Sequence, residues 1–207
     1  MGKWLGITAL VGVLVFGVGA CTIGTAVSGS YNNLTTLREN VNSQWSNVEN
    51  VYQRRADLVP NLIETVRGYA IHEKETFVEV TQARAQVGQI NIKADDLTPQ
   101  TLAAFQSAQG ELSSALSRLM VVVEKYPDLK ANGLFSDLMA QLEGTENRIS
   151  VERNRFNEAA REYNTTRNKF PTNLVANYFK FDVKPYFEAE EGAKKAPKVN
   201  FQDLRKN

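Results

Sequence analysis

The chain has 207 residues, 24 of them Lys or Arg and 23 Asp or Glu, for a formal charge of +1. That balance argues against nucleic acid as a partner, because phosphate-binding domains carry a basic excess. One cysteine, Cys21, and one histidine, His72, exclude a disulfide framework within the chain, multi-cysteine and two-histidine metal sites, and a triad built around either residue.

The chain opens on an apolar run. Lys3 is the only charged side chain before Arg38, and Trp4 to Val27 is almost wholly apolar. As a helix that run measures about 36 Å, enough to cross a ~30 Å hydrocarbon core with some tilt. A single N-terminal transmembrane helix within residues 1–30 is therefore expected, with membrane lipid as its partner. The alternative is a cleaved signal ending at Val18-Gly19-Ala20, after which Cys21 carries the lipid. Against that, Thr22 to Val27 stays apolar where a polar tether would be expected. Lys3 favours a cytoplasmic amino terminus, which puts the body on the periplasmic or extracytoplasmic side of a bacterial membrane under either reading.

Beyond residue 30 basic and acidic side chains are equal in number and the apolar spacing is helical. Leu34, Leu37, Val41, Val48 and Val51 form a first stripe, broken at Gln44 and flanked by Trp45 and Tyr52. A second carries Val59, Leu62, Val66, Tyr69, Phe77, Val80 and Val87. A third runs Leu102, Phe105, Gln109, Leu112, Leu116, Leu119, Val123; a fourth runs Phe135 to Tyr163 in the same steps. Asp57 is expected to cap the second helix with Pro60 in its first turn, and Thr98 to cap the third with Pro99 at its first position. Tyr126-Pro127-Asp128 ends the third, Asn132-Gly133 starts the fourth and Phe170-Pro171 ends it. The expected fold is all-α, an antiparallel four-helix up-and-down bundle over residues 31–170 behind one membrane helix. Residues 171–207 hold six aromatics, Tyr178, Phe179, Phe181, Tyr186, Phe187 and Phe201, too many for a free tail. Their expected role is to latch the segment onto the bundle, and a partner or membrane-interface role is the alternative.

Several of these residues fall into a recognisable order. Tyr31-Asn32-Asn33-Leu34 through Trp45, then Tyr52-Gln53-Arg54-Arg55-Ala56-Asp57-Leu58-Val59-Pro60-Asn61-Leu62, resembles the signature of the LemA family. Val66-Arg67-Gly68-Tyr69-Ala70, Leu142 to Ile149, Arg153, Tyr163-Asn164 and Tyr186-Phe187-Glu188 continue the resemblance. It implies a bacterial membrane-anchored helical bundle with no established active site, so no catalytic residue carries over.

For chemistry the residues offer little that is enzymatic. A di-metal carboxylate site in a helical bundle needs two Glu-x-x-His pairs, and Tyr69 stands three residues before the single His72. No catalytic, cofactor or metal residue is expected. Arg54, Arg55, Glu143, Glu146 and Arg148 are the candidate polar network, brought level if the first helix runs antiparallel to the fourth. They read either as a groove for a ligand or partner, or as an ion-pair network that fixes helix register. The functional expectation is a non-catalytic membrane-anchored interaction or scaffold protein of the bacterial envelope with a protein partner there. The alternative is a metal-dependent enzyme or ligand-binding regulator built in the bundle core.

Overall fold

The computed structural model describes the backbone of residues 2–188 and the side chains of residues 24–188. Among these residues the chain is all-α, as expected, with no strand. The helices are α1 (Gly2–Arg67), α2 (Lys74–Gln89), α3 (Pro99–Val123), α4 (Pro127–Lys130), α5 (Gly133–Asn168) and α6 (Thr172–Tyr178), with a 3-10 turn at Ala94–Asp96. Among the described residues no helix is long and apolar enough to cross a membrane. The side chains of most of Trp4–Val27, that of Cys21 among them, lie outside what is described, as do the residues after Glu188.

The first helix boundary expected from sequence is corrected. Asp57 does not cap a second helix: α1 runs on through Pro60 to Arg67, and Asp57 accepts a hydrogen bond from Gln53 within it (2.8 Å). A proline inside a helix removes the N–H that would bond the carbonyl four residues back, here that of buried Ala56. Arg84 of α2 supplies the missing donor, its Nε bonding the Ala56 carbonyl at 2.9 Å. A neighbouring helix thus repairs the proline defect and lets the helix continue. Arg84→Met is expected to cost about 1–2 kcal/mol, since it strands a carbonyl on a buried residue. Combined with Pro60→Ala, which restores the intrahelical donor, the cost should largely vanish. A double-mutant cycle by urea denaturation measures this, and additive costs would reject the repair.

The turn between α1 and α2 instead covers residues 68–73. The Tyr69 and Ala70 amides both bond the Val66 carbonyl, at 3.0 and 2.9 Å, closing the helix with a tighter turn, and Ala70 is fully buried. The later boundaries fall where sequence puts them. Thr98 Oγ1 accepts from the Thr101 amide (3.1 Å) with Pro99 opening α3, and Asn132 accepts from the Phe135 amide (3.0 Å) at the start of α5. The core stripe of α1 also shifts: Trp45 and Tyr52, which sequence puts at its flanks, are in the core, while Gln44 stands half out.

Side-chain pairs set the helix directions. Trp45 meets Phe156 and Arg55 meets Glu146, so α1 and α5 are antiparallel. Tyr126, just past α3, reaches Glu73 and Arg118 reaches Glu79, so α2 and α3 are antiparallel. Tyr52 meets Phe105 and Arg55 meets Gln109, so α1 and α3 run together. The interior divides into two apolar clusters. One holds Leu34 to Tyr52 of α1, Leu102 and Phe105 of α3, and Ile149 to Tyr163 of α5. The other holds Val59 to Val66 of α1, α2, Leu112 to Val123 of α3, and Phe135 and Leu138 of α5.

After α6, Lys180 turns the chain through a left-handed residue (φ 56°), and an extended strip follows along α5. Two asparagines of α5, seven residues apart on one face, each hold one residue of the strip by both its backbone groups. Asn157 bonds the Phe187 N–H (2.8 Å) and C=O (3.1 Å); Asn164 bonds the Lys184 N–H (2.9 Å) and C=O (2.8 Å). Each side-chain amide replaces the missing strand partner of an extended chain. Phe187 then packs against Trp45 and Phe156, and Phe181 against Tyr31, whereas Tyr178 remains exposed. Asn164→Ala is expected to cost about 2 kcal/mol, by leaving backbone groups of a buried residue unpaired. It should also speed proteolysis within 181–188 while sparing the helices; unchanged cleavage would show that the aromatics alone hold the strip.

Candidate functional site

Arg55 is the one arginine among the described residues that is nearly fully buried, at 3% exposure. Leu34, Val41, Val48, Arg55 and Leu62 recur every seven residues along α1, so helix geometry points Arg55 into the seam that its apolar neighbours fill. The position lies between the two apolar clusters. On α3 the corresponding level is occupied by Gln109 and on α5 by Thr145, both buried polar residues between the same two clusters.

The guanidinium is bonded from several sides. Nη1 donates to Ser113 Oγ and to Glu146 Oε2, both at 3.0 Å. Nη2 donates to the Gln109 carbonyl at 3.2 Å and to Gln109 Oε1. The Tyr52 ring lies 5.2 Å from the guanidinium carbon, a cation–π distance. Nε is buried without a hydrogen-bond partner. Burying a cation is expensive unless it is paired and hydrogen-bonded, and here four acceptors and a ring face supply that. Glu146 is itself 56% exposed and stands at the mouth of an open cleft of about 530 Å³, where Arg153 and Gln106 also sit.

Of the five residues singled out from sequence, the structure joins only Arg55 and Glu146. Arg54, Glu143 and Arg148 are exposed and stand outside this set. Glu152 pairs with Arg155 (2.8 Å) and not with Arg55. Arg153 covers Phe187 at 5.1 Å and donates to the Glu188 carbonyl at 2.7 Å. Gln109 and Ser113 complete the site; Gln109 was visible as a polar break in the α3 stripe, whereas nothing in the sequence distinguishes Ser113. A second buried cation, Lys184, donates from Nζ to the Ala94 carbonyl (2.9 Å). Burial pushes its amine below the usual lysine range, with Asp95 drawing it the other way. Among the described residues no group of three His, Cys, Asp or Glu side chains is placed to hold a metal. The arrangement at Arg55 suits binding of a polar or anionic group, or the fixing of helix register.

A family model described as the LemA family matches residues 44–201. The chain belongs to the LemA family. The match takes in Arg55, Gln109, Glu146 and both strip-holding asparagines, so the polar layer and the latch lie within the LemA-like region. Magnetosome protein MamQ 2 of Paramagnetospirillum magneticum is 30% identical over 194 residues, covering 84% of this chain and 71% of its own. Magnetosome protein MamQ of Magnetospirillum gryphiswaldense is 29% identical over the same shares. Protein LemA of Metamycoplasma hominis is 26% identical over 163 residues, covering 79% of this chain and 71% of its own.

Proposed function

We propose that the protein is a non-catalytic, membrane-anchored scaffold of the bacterial envelope. Trp4–Val27 is its retained transmembrane helix and residues 31–170 form an antiparallel up-and-down four-helix bundle. The observation that carries this reading is the continuity of α1, one 66-residue helix that starts in the apolar run and ends in the bundle core. A helix shared in this way ties the body rigidly to its anchor, as a docking platform requires. Kinship to proteins named for the magnetosome supports a role in a subcellular assembly. The charge of Lys3 supports an extracytoplasmic bundle, and the described part of the 171–207 segment acts as a latch over α1 and α5. Crosslinking mass spectrometry in native membranes tests the reading: a reproducible envelope-protein partner is expected, and repeated recovery of the protein alone counts against it. Intact mass of the membrane form tests the anchor. A species beginning at Cys21 with added acyl mass would replace the retained helix with a lipoprotein.

A second reading is favoured by one feature, the cleft over Arg55 with its unpartnered Nε. There the protein would be a ligand-binding regulator, with an anionic group entering beside Glu146. Thermal shift with a panel of small carboxylates and phosphates discriminates: stabilisation that is lost in Arg55→Met supports it, and no shift dismisses it.

A further inference from the structure

The two most exposed large apolar side chains among the described residues, Phe170 and Tyr178, stand at the same end of the molecule. Phe170 and Tyr178 are each 80% exposed and Leu174 is 59% exposed. Leu174 and Tyr178 are four residues apart and share one face of α6, with Phe170 leading into it. Phe179 joins this group to α1, its ring packed edge-on against Tyr178 and against Tyr31, at 4.9 Å in both cases.

The position of Tyr31 is informative. It lies four residues past Val27, the last residue of the apolar run, which is about 6 Å along a helix axis at ~1.5 Å per residue. A headgroup layer adds roughly 5–8 Å to each side of the hydrocarbon core. If the run crosses a bilayer, α6 therefore sits at headgroup depth, where aromatic side chains collect. Charge agrees with depth. No Asp or Glu occurs in residues 1–38 or 163–181, although the chain has 23 in all, while Arg38, Arg167, Lys169 and Lys180 do occur there. Lysines flank the exposed aromatic face, and the nearest carboxylates along the chain, Glu39 and Asp182, lie just beyond it; such a face complements anionic lipid.

We propose that α6 is a second membrane contact: Phe170, Leu174 and Tyr178 lie in the headgroup layer of an anionic bilayer beside the point where α1 enters it, held by Lys169 and Lys180. The proposal rests on the reading of Trp4–Val27 as a spanning helix, and it turns a single tether into a two-point stance.

The test uses the full chain with Cys21→Ser, reconstituted in vesicles of phosphatidylglycerol and phosphatidylcholine. A nitroxide is placed at Leu174→Cys or Tyr178→Cys, and for reference at Leu134→Cys, an exposed site at the opposite end of α5. Far-UV circular dichroism confirms that each variant is folded. The ratio of oxygen to nickel-chelate collisions is expected to be several-fold higher at 174 and 178 than at 134. It should fall towards the reference in pure phosphatidylcholine; an equal ratio in both lipids would overturn the role of the lysines. Equal ratios at all three sites, in protein that still floats with the vesicles, would overturn the contact while leaving the anchor standing. Failure to float would overturn both.

Discussion

Trp45→Ala is expected to lower the melting temperature more than any other single change described here, by about 8–16 °C. The indole is 1% exposed. Phe105 and Phe156 pack edge-on to it at 5.4 and 5.8 Å, and Phe187 stacks at 6.2 Å. Its Nε1 donates to the Ile92 carbonyl at 3.0 Å, so one side chain gathers α1, α3, α5, the linker after α2 and the C-terminal strip. Emptying such a site costs about 4 kcal/mol in lost transfer energy and residual cavity, and a domain of this size shifts roughly 2–4 °C per kcal/mol. Trp45→Phe should recover most of the packing but leave the Ile92 carbonyl unbonded, and should fall between the two. Thermal unfolding followed by near-UV circular dichroism measures both. A loss under ~1 kcal/mol for Trp45→Ala would mean that the strip and linker hold without it.

The second large effect is an asymmetry across one ion pair. Arg55→Ala is expected to cost about 3 kcal/mol, because it opens a void in the seam and leaves buried Gln109 without the donor that its side chain and carbonyl share. Glu146→Ala should cost no more than ~1 kcal/mol. Glu146 stands at the cleft mouth, where water can take its place on Nη1 while Ser113 and Gln109 still hold the rest of the guanidinium. Urea denaturation of both variants decides the matter. Equal losses would show that the carboxylate, and not the buried network, carries the site.

Much of this architecture was legible in the apolar spacing. Helices α3 and α5 begin at Thr98 and Asn132 because small polar side chains there bond the first free amides, which a local pattern reveals. The boundary at Pro60 was not legible, because the donor that rescues the Ala56 carbonyl comes from Arg84, in a helix that must already be packed. For the same reason the pairing of Asn157 and Asn164 with the strip has no sequence signature of its own: either asparagine alone reads as a polar helix residue. Arg55 could have been singled out more sharply. It interrupts a strict seven-residue apolar repeat, whereas Arg54, Glu143 and Arg148, chosen with it for charge alone, fall outside the seam and face solvent. Charge names the candidates, and phase along the helix selects among them.

The uninterrupted α1 also has a mechanical side. From Val27 to Arg67 the helix rises about 60 Å, so the turn at 68–73 and the α4 corner stand far from the end where Phe179 meets Tyr31. A rod of that length works as a lever. A tilt of about 10° at the Val27 end moves the Arg67 end by about 10 Å. The proline repaired by Arg84 sits two turns below that end, and the stiffness of the outer arm therefore depends on a hydrogen bond borrowed from the next helix.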